Sequence, residues 1–60
     1  MRDDMKYYDQ LEQCLIEVLG EINDRVMCKV TYSDKEQEFR EFDKSFIEHE
    51  LELGNYTVES

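Results

Sequence analysis

MKYYDQLEQCLIEVLGEI, the run from Met5 to Ile22, decides the fold. Its residues Met5, Tyr8, Leu11, Leu15, Val18, Leu19 and Ile22 recur three and four positions apart, the spacing that gathers one face of an α-helix. Cys14 borders that stripe, and Asp9, Glu12, Glu17, Glu21 and Asp24 take the opposite side. The pattern predicts an amphipathic helix from Asp3 to Asn23. Asp3 or Asp4 caps its start at the positive end of the helix dipole, and Asn23-Asp24 forms the turn that ends it. Gly20 inside such a helix costs about 1 kcal/mol relative to alanine.

The next segment changes period. From Arg25 to Ser33, Val26, Cys28, Val30 and Tyr32 alternate with Met27, Lys29 and Thr31, the two-residue repeat of a strand with one face on a core. Asp34 to Asp43 supports two readings. A turn at Ser33-Asp34-Lys35-Glu36 followed by a return strand from Gln37 to Phe42 gives the Arg25–Ser33 strand a partner, but it sets Phe39 and Phe42 on opposite faces. A helix instead aligns Phe39, Phe42 and Phe46, with a capping box at Ser33/Glu36 and a Glu36/Arg40 pair four apart. Ser45 to Leu53 reads as a helix with a second capping box at Ser45/Glu48, stopped by Gly54-Asn55 in left-handed geometry; alternation of Ile47, His49, Leu51 and Leu53 offers a strand instead. Tyr56-Thr57-Val58 is a short final strand that could pair with the strand at Arg25–Ser33. The expected fold is therefore α+β: an N-terminal amphipathic helix, a two- to three-stranded sheet and a short C-terminal helix.

Sixty residues make a single small domain, 1–60. A chain of that length buries only about 60% of its unfolded surface and commonly needs a disulfide, a metal or self-association. A homodimer is expected. Met1 is initiator-like, which suggests a complete small product. Cys14 and Cys28 have no CxxC partner and no nearby His, so free buried thiols in a reducing cytoplasm are expected rather than a zinc site or a disulfide. Met1-Arg2-Asp3-Asp4 lacks the apolar core of a signal peptide, and the chain has no apolar run able to span a bilayer. The expected location is cytoplasmic.

Charge is the loudest functional signal. Sixteen acidic residues face seven basic ones, a formal net charge of -9. The surplus sits on the terminal segments: residues 1–24 carry -5 and residues 48–60 carry -4, against +2 for residues 25–33. Such a surface disfavours direct contact with nucleic acid or anionic membrane and suits a basic partner. Asp9, Glu12, Glu17, Glu21 and Asp24 on the first helix, with Glu48 and Glu52 on the last, are the candidate partner-binding residues. On one helix they would repeat at roughly 5–6 Å, comparable to backbone phosphates. The plainer reading is a solvated face that keeps a small protein soluble. Tyr7 and Met27 point away from the expected core and are candidate dimer or partner contacts.

Catalysis is not expected. The carboxylates form no calcium loop and no paired acid–base site, and His49, flanked by Glu48 and Glu50, lacks a nucleophile at matched spacing. No cofactor or metal is expected. In size and charge the chain is similar to short acidic proteins that bacteriophages use against host enzymes and defence systems, a similarity of composition alone. The first functional expectation is an inhibitor that occludes the basic surface of a nucleic-acid-handling protein, in the manner of a DNA mimic. The alternative is an adaptor homodimer whose acids only confer solubility.

Overall fold

The computed structural model describes residues 5–59 and shows five strands and one helix: β1 (Lys6–Asp9), β2 (Cys14–Ile22), β3 (Arg25–Tyr32), β4 (Gln37–Asp43), α1 (Lys44–Leu53) and β5 (Tyr56–Val58). The strands form one antiparallel sheet in the order β4-β3-β2-β1-β5. The expected N-terminal helix and two- to three-stranded sheet are overturned: the segment from Lys6 to Ile22 is a hairpin, and α1 is the single helix among the described residues.

The reason lies in β2. Cys14, Ile16 and Val18 alternate onto the buried face, as a strand requires. Between Val18 and Gly20 the register against β3 slips by one residue, a β-bulge at Leu19. Beyond the bulge the parity inverts, so Glu21, not Gly20, joins Val18 on the inner face. Leu15, Leu19 and Ile22 fall on the outer face, four and three residues apart. A bulged strand thus reproduces the apolar spacing of a helix.

Local turn chemistry fits the hairpins. Asn23 takes left-handed backbone (φ 57), which asparagine tolerates, in the two-residue turn between Ile22 and Arg25. The β3–β4 turn is a three-residue loop. The Lys35 amide donates to the Tyr32 carbonyl at 2.8 Å, and the Tyr32 amide donates to the Glu36 carbonyl at 2.8 Å. Lys35 occupies its left-handed position (φ 71), and the Asp34 carboxylate accepts from the Glu36 amide at 3.0 Å. This settles the middle segment as the return strand, with Phe39 and Phe42 on opposite faces.

Helix α1 crosses the sheet from the β4 edge to the β5 edge. Its first amide, Lys44, donates to the Asp24 carbonyl at 2.7 Å, tying it to the β2–β3 turn. Asp43 is the N-cap residue but makes no side-chain cap bond, so the expected Ser45/Glu48 capping box does not start this helix. Gly54 ends it in left-handed geometry (φ 82), with the Asn55 amide donating to the Glu50 carbonyl at 3.0 Å. The final strand forms as expected but pairs with β1 rather than with the Arg25–Tyr32 strand.

The core is one layer between the sheet and α1: Cys14, Ile16, Val18, Val26, Cys28, Val30, Ile47 and Tyr56 are all buried, with Met5, Tyr7, Tyr32, Phe42 and Leu51 packed around them. Phe46 stacks on Phe42 at 6.0 Å and meets Tyr56 edge-on at 6.2 Å, an aromatic bridge from β4 through the helix to β5.

Lys35 holds a left-handed backbone without being glycine, at a cost of about 1 kcal/mol. Lys35→Gly is expected to raise stability by about 0.5–1 kcal/mol, whereas Lys35→Val should lower it. Urea unfolding of both variants checks this.

Candidate functional site

A one-helix, one-sheet fold leaves two unlike surfaces. Side chains paired across the strands by register divide cleanly between them. The open face of the sheet carries Lys6, Arg25 and Lys29 against Glu17, Glu41 and Asp43. These largely neutralise one another: Arg25 reaches Glu41 at 2.7 Å and Asp43 at 3.3 Å, and Lys29 lies 3.7 Å from Glu17. The helical side carries Asp9, Glu12, Glu21, Glu38, Glu48, Glu50 and Glu52 against Arg40 and Lys44. The negative surplus of the described residues is therefore concentrated on the helical side and at the turns.

The acidic residues singled out from the sequence are not brought onto one helix face. Asp9 is 8% exposed, and its carboxylate accepts from the Leu11 and Glu12 amides at 2.9 and 3.2 Å. It organises the β1–β2 turn. Glu12 is exposed in that turn. Glu17 lies on the open face, and Glu21 is largely covered and paired with Lys44 at 3.2 Å. That contact is the main cause that raises the Lys44 pKa. Asp24 is exposed at the β2–β3 turn, while Glu48 and Glu52 are exposed on α1. Tyr7 packs against the core beneath the helix, contrary to its expected outward orientation, and Met27 lies on the open face, 37% exposed.

The helix charges oppose its own dipole. Lys44 stands at the positive N-terminal end, and the last turn holds Glu50 and Glu52 with no basic residue. Glu48 and Glu52 are like charges four apart. Each feature costs a few tenths of a kcal/mol, and among the described residues no cation pairs with Glu52.

Several residues of the open face escaped the sequence reading. Leu19 is 51% exposed, Ile22 66% and Phe39 74%. With Tyr8, Leu15 and Met27 they make an apolar, nearly neutral surface. Two-residue alternation in β2 and β4 was the signal, obscured in β2 by the bulge.

Among the described residues, three recesses border the helix; a shallow one of about 410 Å³ lies at its first turn, lined by Asp24, Asp43, Lys44, Ser45 and Glu48. A second, of about 190 Å³, lies between the β1–β2 turn and α1, lined by Asp9, Glu12, Arg40, Phe46, Glu50 and Tyr56 among others. Burial, then Asp9 and Glu50, push the Tyr56 hydroxyl up to about 12. Arg40 sits 5.2 Å over the Phe42 ring, and Glu38 neutralises it at 3.4 Å. The third, about 330 Å³, is mostly apolar, lined by Met5, Tyr7, Val18, Val26, Ile47 and Leu51 with Lys44 and Glu48 at its border. The second and third lie at or below the small end of ligand-site volumes, and the recess at the first turn is open and lined by charged and polar side chains rather than the apolar walls of a ligand site. Among the described residues, no three His, Cys, Asp or Glu converge as metal ligands would, and no helix is long and apolar enough to cross a membrane.

Cys14 and Cys28 are free and buried. Burial raises both thiols to about 11, with Asp9 adding to the shift at Cys14, so they are held protonated and unreactive at neutral pH. Compared with protein-family models, with curated proteins and with solved structures, the chain matches none.

Two outcomes follow. Asp9→Ala strands two backbone donors and is expected to cost about 1–3 kcal/mol in urea unfolding, while Glu12→Ala stays near neutral. Unfolded thiols ionise near 9 and folded ones near 11, so stability is full below pH 9 and falls as pH rises toward 11. The urea midpoint should drop between pH 8 and pH 10.5, and drop less in Cys28→Val.

Proposed function

We propose that this protein works by binding rather than by catalysis, presenting its acidic helical side to a basic-surfaced protein that handles nucleic acid and so occluding that protein's binding surface. The observation that supports this reading is the division of charge: apart from the buried Asp9, six carboxylates against two cations on the helical side, three against three on the open face. Glu48 and Glu52 stand one helical turn apart, about 6 Å, and project a repeat that a phosphate-gripping surface of Lys and Arg would meet. Their mutual repulsion, and the place of Glu52 at the negative end of the helix dipole, cost stability within the chain, a cost that a cationic partner would offset. Glu12 and Asp24 extend the negative surface at the two turns that hold the ends of α1. Charge steering would speed encounter, and bulk would do the blocking. The protein would be cytoplasmic, where Cys14 and Cys28 stay reduced.

A second reading is favoured by the exposed apolar open face. There the chain would be an adaptor that grips its partner through Leu19, Ile22 and neighbours, its carboxylates serving only solubility.

The two readings separate in one capture experiment from a bacterial lysate, with bound proteins identified by mass. For the acidic-face reading, a basic nucleic-acid-handling protein is retained at low salt and released at high salt. The combined Glu12→Gln, Glu48→Gln and Glu52→Gln variant should weaken binding on the order of tenfold or more, with its fold intact by circular dichroism. Salt-indifferent capture that is abolished by Leu19→Ser and Ile22→Ser would instead establish the adaptor.

A further inference from the structure

Strand β4 forms one border of the sheet, and nothing among the described residues pairs with its outer side. It is seven residues long, paired with β3 in continuous register, and free of proline and bulge. Natural edges are commonly short, bulged or proline-bearing, because a long regular edge invites another strand. β4 has none of those protections, only charges, and the order of those charges is informative.

The hydrogen-bond parity of the edge follows from its turn. The Tyr32 amide donates to the Glu36 carbonyl, so Glu36 and every second residue after it direct their backbone groups inward to β3. Gln37, Phe39 and Glu41 therefore turn N–H and C=O groups outward. Side chains alternate independently of this: Gln37, Phe39 and Glu41 lie on the open face, and Glu38, Arg40 and Phe42 on the helical side.

We propose that β4 pairs antiparallel with β4 of a second copy, about a two-fold axis at Phe39, to give a continuous ten-stranded sheet. A two-fold normal to the sheet keeps like faces together, so only registers centred on a residue are allowed. Centring on Glu38, Arg40 or Glu41 sets two like charges directly opposite each other. Centring on Gln37 opposes Glu36 to Glu38, and centring on Phe42 opposes Glu41 to Asp43. Centring on Phe39 opposes Phe39 to Phe39 and, twice over, Glu38 to Arg40. Of the registers centred between Gln37 and Phe42, it alone puts no like charges opposite. It also agrees with the backbone. Phe39 turns its N–H and C=O outward, so the central pair exchanges two hydrogen bonds, and Gln37 with Glu41 on either side brings the total to about six. Phe39, 74% exposed in the single chain, gains an aromatic partner. The contact is small, so the dimer is weak and concentration-dependent. It does not rest on the acidic-partner reading, because Glu48, Glu50 and Glu52 on α1 lie away from the β4 edge strand and remain open in it.

The test uses charge reversals on the full chain, read by sedimentation equilibrium. Glu38 and Arg40 side chains are half exposed, so neither change should disturb the fold. The wild type should dimerise reversibly at sub-millimolar concentration. Glu38→Arg alone and Arg40→Glu alone should each weaken the dimer on the order of tenfold. An equimolar mixture of the two variants should restore it, since every facing pair in the mixed dimer is again opposite in sign. As a second readout, Phe39→Cys should cross-link on oxidation, its Cα atoms lying about 5.5 Å apart, while Gln37→Cys should not. A wild type that stays monomeric, a dimer unmoved by either reversal, a mixture that does not recover, or equal cross-linking at 37 and 39 overturns the proposal.

Discussion

The pairing of β2 with β3 carries this structure. Those two strands, joined by the two-residue turn at Asn23-Asp24, supply six of the eight buried core side chains. The other elements build outward from them: β1 and β4 on either side, β5 on the far side of β1, and α1 across the inner face with its first amide bonded to their turn. With only sixty residues there is material for one helix, so one face of the sheet is covered and the other is not. That limit shapes both surfaces. The inner side collects the helix and its carboxylates, and the outer side is left with apolar residues set among mutually neutralising charges.

The distribution of charge makes chemical sense against that layout. Acids on the open face have cationic neighbours across the strands, because antiparallel pairing sets side chains about 5 Å apart. On the helix the balance is poorer: Glu48 feels Lys44 one turn before it but also repels Glu52, and Glu50 and Glu52 crowd the negative end of the dipole. Asp9 stands apart from all of these. It is the buried acid among the described residues, and its two amide contacts make it a piece of the turn rather than of the surface.

How much of this could be read in the sequence differs by segment. The Arg25–Tyr32 strand was plain because Val26, Cys28 and Val30 alternate without interruption. The helix from Lys44 was legible from the apolar edge of Phe46, Ile47 and Leu51 and from the Gly54-Asn55 stop, although its capping was not. The return strand was visible as one of two readings, since Phe39 on the open face breaks the expected pattern of a half-buried strand. The first hairpin carries the pattern of a helix. A bulge at Leu19 turned two-residue alternation into spacings of three and four, and the exposed Leu15, Leu19 and Ile22 completed an apparent helical stripe. With that helix gone, Asp9, Glu17 and Glu21 disperse to a turn, the open face and the inner face. The candidate surface that survives on α1 is the part whose secondary structure was read correctly.

The position of β5 has a consequence for how the chain assembles. The β2–β3 and β3–β4 hairpins join neighbours through turns of two and a few residues, at little entropic cost. The β1–β5 ladder is different: it unites Tyr7 with Val58, and the Glu59 amide with the Lys6 carbonyl, across nearly the full length of the chain. Three residues of strand, with Tyr56 packed in the core against Phe46, offset the closing of that loop, and they can do so only once α1 has crossed the sheet. The meander is thus the natural early structure, and the seam between the first and last strands is the part that closes late and opens first.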